Sequence, residues 1–142
     1  MTEERFVSAQ VCDDIRQEVG NKYSLIGCYG SSMLVNTFPI MLPKLCAFVR
    51  AYTAIDRPFA KLSIRVFRAD QMLTEIEVPL QALASIRAAE LPFGAKFLIV
   101  GTAVVLSPLP VEEPCVLRLE VETEEGLLNG GTFRIEKSPI PQ

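Results

Sequence analysis

Histidine is absent from all 142 residues. That removes the side chain most often used as a general base near neutral pH and the commonest ligand for zinc. Long hydrophobic runs are missing too. The longest apolar stretch free of charge and proline, Phe97–Leu106, is far short of the roughly 20 residues a membrane-spanning helix needs, so no transmembrane helix is expected. The opening Met1-Thr2-Glu3-Glu4-Arg5 is acidic and lacks the basic and then apolar regions of a secretory signal, which points to a cytoplasmic protein. No two of Cys12, Cys28, Cys46 and Cys115 form a CxxC clip, and in a reducing compartment such cysteines act as small buried hydrophobes. Export would instead make two disulfides available. GxSxG, DxDxDG and RNP-type patterns are absent, and Gly27-Cys28-Tyr29-Gly30 lacks the strand-to-helix setting of a nucleophile elbow or phosphate loop. There is no internal repeat.

What is present is alternation. Lys61-Leu62-Ser63-Ile64-Arg65-Val66 has the period of a half-buried strand, and similar runs fill the chain. From residue 6 to 19 the odd positions Val7, Ala9, Val11, Ile15 and Val19 are apolar, which predicts one long strand with one buried side. Gly20-Asn21 then supplies the positive φ of a tight hairpin loop, so the next strand, through Cys28, should return antiparallel. Met33-Leu34-Val35 reads as a short edge segment before Pro39 and Pro43. Residues 44–53 are apolar in both phases, as in a central strand, and 60–68 with 72–78 form a second hairpin. Pro79 opens a helix whose Leu80, Leu83, Ala84, Arg87 and Leu91 recur at helical spacing, ended by Pro92-Phe93-Gly94. The run 96–106 reads as a strand buried between layers, Pro108, Pro110 and Pro114 as a stiff loop, and 115–123 with 127–137 as the last pair. Asn129-Gly130-Gly131 inside the last strand suggests a bulge or a second tight turn.

These elements predict an all-β fold: an antiparallel β-sandwich of immunoglobulin-like or C2-like architecture with one short crossover helix. A single domain over residues 1–138 and a frayed tail at 139–142 are expected. A chain of this length buries a hydrophobic core without disulfide or metal staples. Hydrophobic residues make up 49% of it, enough that some apolar surface should meet another chain. With 17 acidic and 14 basic residues, the net charge of -3 does not suit a surface built wholly for phosphate.

Two local features bear on chemistry. Asp13 occupies the phase held by Val11 and Ile15, so either a strand irregularity turns it outward, or Asp13 and Asp14 begin a cation site of clustered oxygens. Between residues 44 and 68, Lys44, Arg50, Arg57, Lys61, Arg65 and Arg68 face only Asp56, with Phe48, Tyr52, Phe59 and Phe67 interleaved. Such a stripe suits partner or single-stranded nucleic-acid binding through Arg50, Arg65 and Arg68. Cross-strand pairing with Glu18 and the 120–125 acidic run would neutralise it, and that reading is preferred.

The stretch Val11-Cys12-Asp13-Asp14-Ile15-Arg16-Gln17-Glu18, with Asn21-Lys22-Tyr23-Ser24-Leu25-Ile26-Gly27-Cys28-Tyr29-Gly30 and Phe38-Pro39-Ile40-Met41-Leu42-Pro43-Lys44-Leu45, resembles a family of small bacterial and phage-associated proteins known as a domain of unknown function. The resemblance covers the first third best. It implies a bacterial or phage origin and carries over no activity, ligand or catalytic residue. The sequence therefore favours a cytoplasmic, non-enzymatic protein-binding module without a cofactor, expected as a homodimer. A cation-dependent or thiol enzyme using Asp13, Asp14 or a cysteine is the alternative, and nucleic-acid binding a third.

Overall fold

The computed structural model describes residues 5–86 and 94–139. The alternating runs form β1 (Phe6–Glu18), β2 (Lys22–Cys28), β3 (Ser32–Val35), β4 (Ile40–Leu42), β5 (Leu45–Ala54), β6 (Leu62–Arg68) and β7 (Gln71–Glu77). After helix α1 (Leu80–Ser85) come β8 (Phe97–Leu106), β9 (Leu109–Val111), β10 (Cys115–Thr123) and β11 (Gly126–Lys137). A first sheet runs β2-β1-β5-β8, a second runs β3-β11-β10-β6-β7, and β4 pairs with β9 in a small ribbon. The fold is an all-β sandwich.

Period-2 alternation decides what fills the space between the sheets. Val49, Ala51, Val100 and Val104 point inward from β5 and β8; Leu62, Ile64, Val66, Leu117, Val121, Phe133 and Ile135 do so from β6, β10 and β11. Leu62 and Ile64 are almost wholly removed from water, each contributing about 1.5–3 kcal/mol. Leu83 of α1 and Leu109 and Val111 of β9 join the same core. Arg5 ties the sheets together at one end. Its Nε donates to Thr53 Oγ1 at 2.9 Å, its Nη2 to the Arg57 carbonyl at 3.0 Å, and it pairs with Glu124 at 2.6 Å while its guanidinium lies over Phe59. Burial works to raise the Glu124 carboxyl pKa, but Arg5 and the Ala60 N–H outweigh it and leave it lowered.

Several expectations hold in detail. β5 is central, between β1 and β8; β6 and β7 form a hairpin; β3 is an edge strand. The expected bulge lies at residues 129–131, where the pairing of β11 with β10 slips by one between Arg118–Thr132 and Glu120–Asn129. Both Leu128 and Phe133 thereby contribute to the core although five residues separate them.

Other features differ. The β1–β2 loop has three residues, since Glu18 pairs with Lys22, and Gly20 and Asn21 take positive φ of 91° and 59°. β3 runs parallel to β11, so the second sheet is mixed. The proline-rich stretches form the β4–β9 ribbon, in which Pro110, lacking an N–H, sits opposite Met41. Pro79 is the N-cap of α1, one position earlier than expected, and Ile86 closes the helix. Its expected continuation to Leu91, the stop at Pro92-Phe93 and most of the tail lie outside the described residues. Most consequential, β8 is an edge strand of the first sheet, and in a two-layer sandwich only the face toward the second sheet is covered. Ile99 and Val105 are 48% and 46% exposed where burial on both sides was expected.

Candidate functional site

Even-numbered residues of β1 and β5 and odd-numbered residues of β8 point away from the second sheet, because Val49 pairs with Thr102 and Ala51 with Val100 in the inward phase. Phe6, Tyr52 and Phe97 meet on this outward face. The Phe6 and Tyr52 rings stack with centroids 4.3 Å apart, and Phe97 meets Phe6 edge-on at 5.5 Å. Ile99 and Val105 extend the apolar surface along β8, and Arg50 lies among them with its guanidinium over Phe48. Among the described residues Arg50 makes no ion pair.

One part of this face is roofed. β1 outruns β5: their pairing ends at Cys12–Cys46, and beyond it only β2 accompanies β1, making a two-stranded arm. The arm crosses over β5. Cys46 Sγ donates to the Asp13 carbonyl at 3.7 Å, and Tyr23 near the arm's tip meets Phe48 at 4.8 Å between centroids. Cys12 is buried in the phase of β1 expected to face solvent, together with Cys46 and Phe48 of β5, while Ala9, in the expected core phase, is exposed. The expectation that β1 has one buried side is therefore corrected from Cys12 onward: folding the arm back creates a second, local core outside the sandwich. Gly101 permits it, because a Cβ there would lie 2.8 Å from Phe48 Cζ.

Asp13 and Asp14 sit where the arm departs. Register is continuous from Cys12–Cys28 to Asp14–Ile26, so no bulge in β1 turns Asp13 outward. Instead its carboxylate lies over Gly27, whose missing side chain makes the room, and accepts a 2.5 Å hydrogen bond from the Tyr29 hydroxyl. Burial, reinforced by Asp13, pushes the Tyr29 phenol up to about 12. Asp14 points the other way and accepts from Lys44 Nζ at 2.9 Å and from the Ile15 N–H. The Lys44 hydrogen bond holds the Asp14 carboxyl below its ordinary range. The two carboxylates thus have separate protein partners, and among the described residues no group of three or more Cys, Asp or Glu is placed to hold a metal ion.

The basic stripe is divided between the sheets. Arg50 lies on the outward face of the first; Arg65 lies on the opposite outer surface, where Glu75 at 2.6 Å, Glu122 at 2.5 Å and Glu120 at 3.9 Å surround it. Arg68 donates to the Pro110 carbonyl at 2.8 Å beside the small ribbon. Lys61 also pairs with Glu122, and Arg57 with Glu125. Cross-strand pairing accounts for most of the stripe, and the three arginines do not share one surface.

An apolar cavity of about 110 Å³ opens between the sheets beside Ala9, Ala47, Gly130, Thr132 and Leu106. No carboxylate lines it. A second, more open groove is lined by Arg68, Asp70, Glu112, Glu113 and Cys115 among others. Burial pushes up the thiols of Cys12 (to about 11), Cys46 and Cys115, the opposite of what nucleophilic activation requires.

Sequence reasoning missed the aromatic cluster and the alignment of three cysteines. Phe6 and Cys12 are visible in the even phase of β1, but their partners depend on register across β2, β5 and β8, which composition does not encode. No protein-family model, curated protein or solved structure matches this chain. Among the described residues no helix is long and apolar enough to cross a membrane.

Proposed function

We propose that this protein is a non-enzymatic interaction module that docks through the outward face and free edge of its first sheet, the first occupant being a second copy of itself. The observation that carries this reading is β8: ten uncharged residues at a sheet edge that no described strand pairs. Proteins ordinarily protect such edges with charge, proline or a bulge, and none of these interrupts Phe97–Leu106. The Ile55 N–H donates to the Lys96 carbonyl, and by alternation the backbone groups of Ile99, Gly101, Ala103 and Val105 point away from β5 toward the open edge. Ile99, Ala103 and Val105 also turn their side chains to the outward face.

Self-pairing follows from symmetry. Ile99 and Val105 lie equally far from Thr102, so a two-fold axis there sets Ile99 of each copy opposite Val105 of the other and joins two four-stranded sheets into one. The Phe6–Tyr52–Phe97 cluster flanks the seam. For the enzymatic reading, the chain has no histidine, both arm aspartates are engaged, and three of the four thiols are raised.

The test is oligomeric state by light scattering or sedimentation. The expected result is a dimer that the paired substitutions Ile99→Lys and Val105→Lys turn into a folded monomer. A wild-type chain that stays monomeric throughout the accessible concentration range overturns the proposal.

A further inference from the structure

Three of the four cysteines stand in one row across three adjacent strands. Cys12 of β1 is the direct partner of Cys28 on β2 and of Cys46 on β5, so all three side chains emerge on the same side of the sheet. The two neighbours are not equivalent. The Tyr29 N–H donates to the Val11 carbonyl at 2.9 Å, which makes Val11–Tyr29 a hydrogen-bonded pair. The next pair, Cys12–Cys28, is then of the non-hydrogen-bonded kind, with Cα atoms about 4.5 Å apart and side chains at their closest. That spacing lies inside the roughly 4.4–6.8 Å range that a disulfide spans. On the β5 side the same alternation makes Cys12–Cys46 the wider pair, and the Cys46 thiol is already engaged by the Asp13 carbonyl beneath the arm. Accessibility separates them as well: Cys28 is exposed, whereas Cys12 and Cys46 are buried.

We propose that Cys28 and Cys12 are a redox-active pair that a low-molecular-weight disulfide oxidises to a cross-strand disulfide, with Cys28 as the attacking thiol and Cys12 as the resolving one. The Cys28 thiolate attacks one sulfur of the small disulfide, forming a mixed disulfide and expelling one small thiolate. The Cys12 thiol then gives its proton to that thiolate while its sulfur displaces the second. One Cys12–Cys28 bond forms, the small disulfide takes up two electrons, and two small thiols leave, the second thiolate taking from solvent the proton that Cys28 gave up on ionising. The high thiol pKa of Cys12 keeps it protonated at neutral pH and assigns the first attack to Cys28. Because Cys12 is where the arm departs from β5, the bond staples β2 to β1 at the arm's root. This inference is independent of self-pairing at β8, which uses the opposite edge of the sheet.

The experiment is incubation of the folded protein with glutathione disulfide, trapping of free thiols by alkylation, and peptide mapping by mass spectrometry. The expected product links Cys12 to Cys28 with loss of two hydrogen atoms, survives in Cys46→Ala and Cys115→Ala, and disappears in Cys28→Ser, which changes only an exposed side chain. Reaction that stops at a glutathione adduct on Cys28, a link between Cys12 and Cys46, or no reaction at all each overturn the proposal.

Discussion

The two outer surfaces of the sandwich are built on the same alternation and carry opposite chemistry. On the second sheet, Arg65 sits among Glu75, Glu120 and Glu122, Lys61 joins Glu122, and Arg134 faces Glu136 at 3.8 Å. On the first, aromatic and aliphatic side chains occupy the corresponding positions, and Arg50 stands among them without an ion-pair partner among the described residues. A strand face with cross-strand charge pairs satisfies itself and water together; one with Phe6, Ile99 and Val105 does neither, and marks where another surface belongs. The same comparison teaches that position, more than count, decides what a charge contributes. Arg5 is only 8% exposed, whereas on the second sheet Arg65 is half-buried with Glu75 open to water beside it, and Arg134 beside Glu136 is exposed.

The contrast can be broken in order of expected effect. Arg5→Ala removes a buried cation and takes from Glu124 its cationic partner and from Thr53 a donor, so denaturant unfolding should report a loss of about 3–5 kcal/mol. Phe48→Ala empties the local core beneath the arm and should cost about 3 kcal/mol by the same measurement, with the Tyr23 fluorescence environment changing in parallel. If Phe48→Ala is instead silent, the arm is not packed on this face. Arg65→Ala should cost no more than about 1 kcal/mol despite its three carboxylates, and the loss should shrink in high salt, as exposed pairs do. An effect matching that of Arg5 would erase the distinction between the two kinds of site.

Acid provides the mildest probe. The Lys44 partner lowers the Asp14 pKa, and the Arg65 and Lys61 partners lower that of Glu122. A carboxyl with a lowered folded pKa stabilises the protein fully above its unfolded value. That stabilisation is lost as pH falls through the ordinary carboxylate range toward the folded value, because the unfolded chain takes up protons first. Thermal midpoints should therefore decline below the ordinary carboxylate range. Lys44→Met should weaken the part of that decline that comes from the arm and leave the part from the second sheet.

Much of this architecture is legible in residue order. Alternation locates β1, β5, β6, β7, β10 and β11, Gly20-Asn21 marks the first turn, and Asn129-Gly130-Gly131 marks the bulge, because each is a local requirement of backbone geometry. Whether a strand lies inside a sheet or at its edge is a different matter. β8 is apolar in both phases, which burial between layers and an unpartnered edge produce alike. The arm is hidden for a related reason: Cys12 reads as outward, and nothing local to Phe48 shows what covers it, until a distant segment, with Tyr23 near its tip, is laid across both. Asp13 was visible as an anomaly, but its resolution depended on the absent side chain of Gly27, a residue of the neighbouring strand.

The one-residue slip in β11 bears on how this chain can change length. Deleting one residue from 129–131 would leave Leu128 and Phe133 four positions apart, which strict alternation keeps on one face, so the pairing with β10 would run through with Phe133 and Ile135 still inward. The slip is thus a place where the strand can shorten by one without exchanging its dry side chains for its wet ones; a deletion in a regular stretch of the same strand would flip every side chain beyond it.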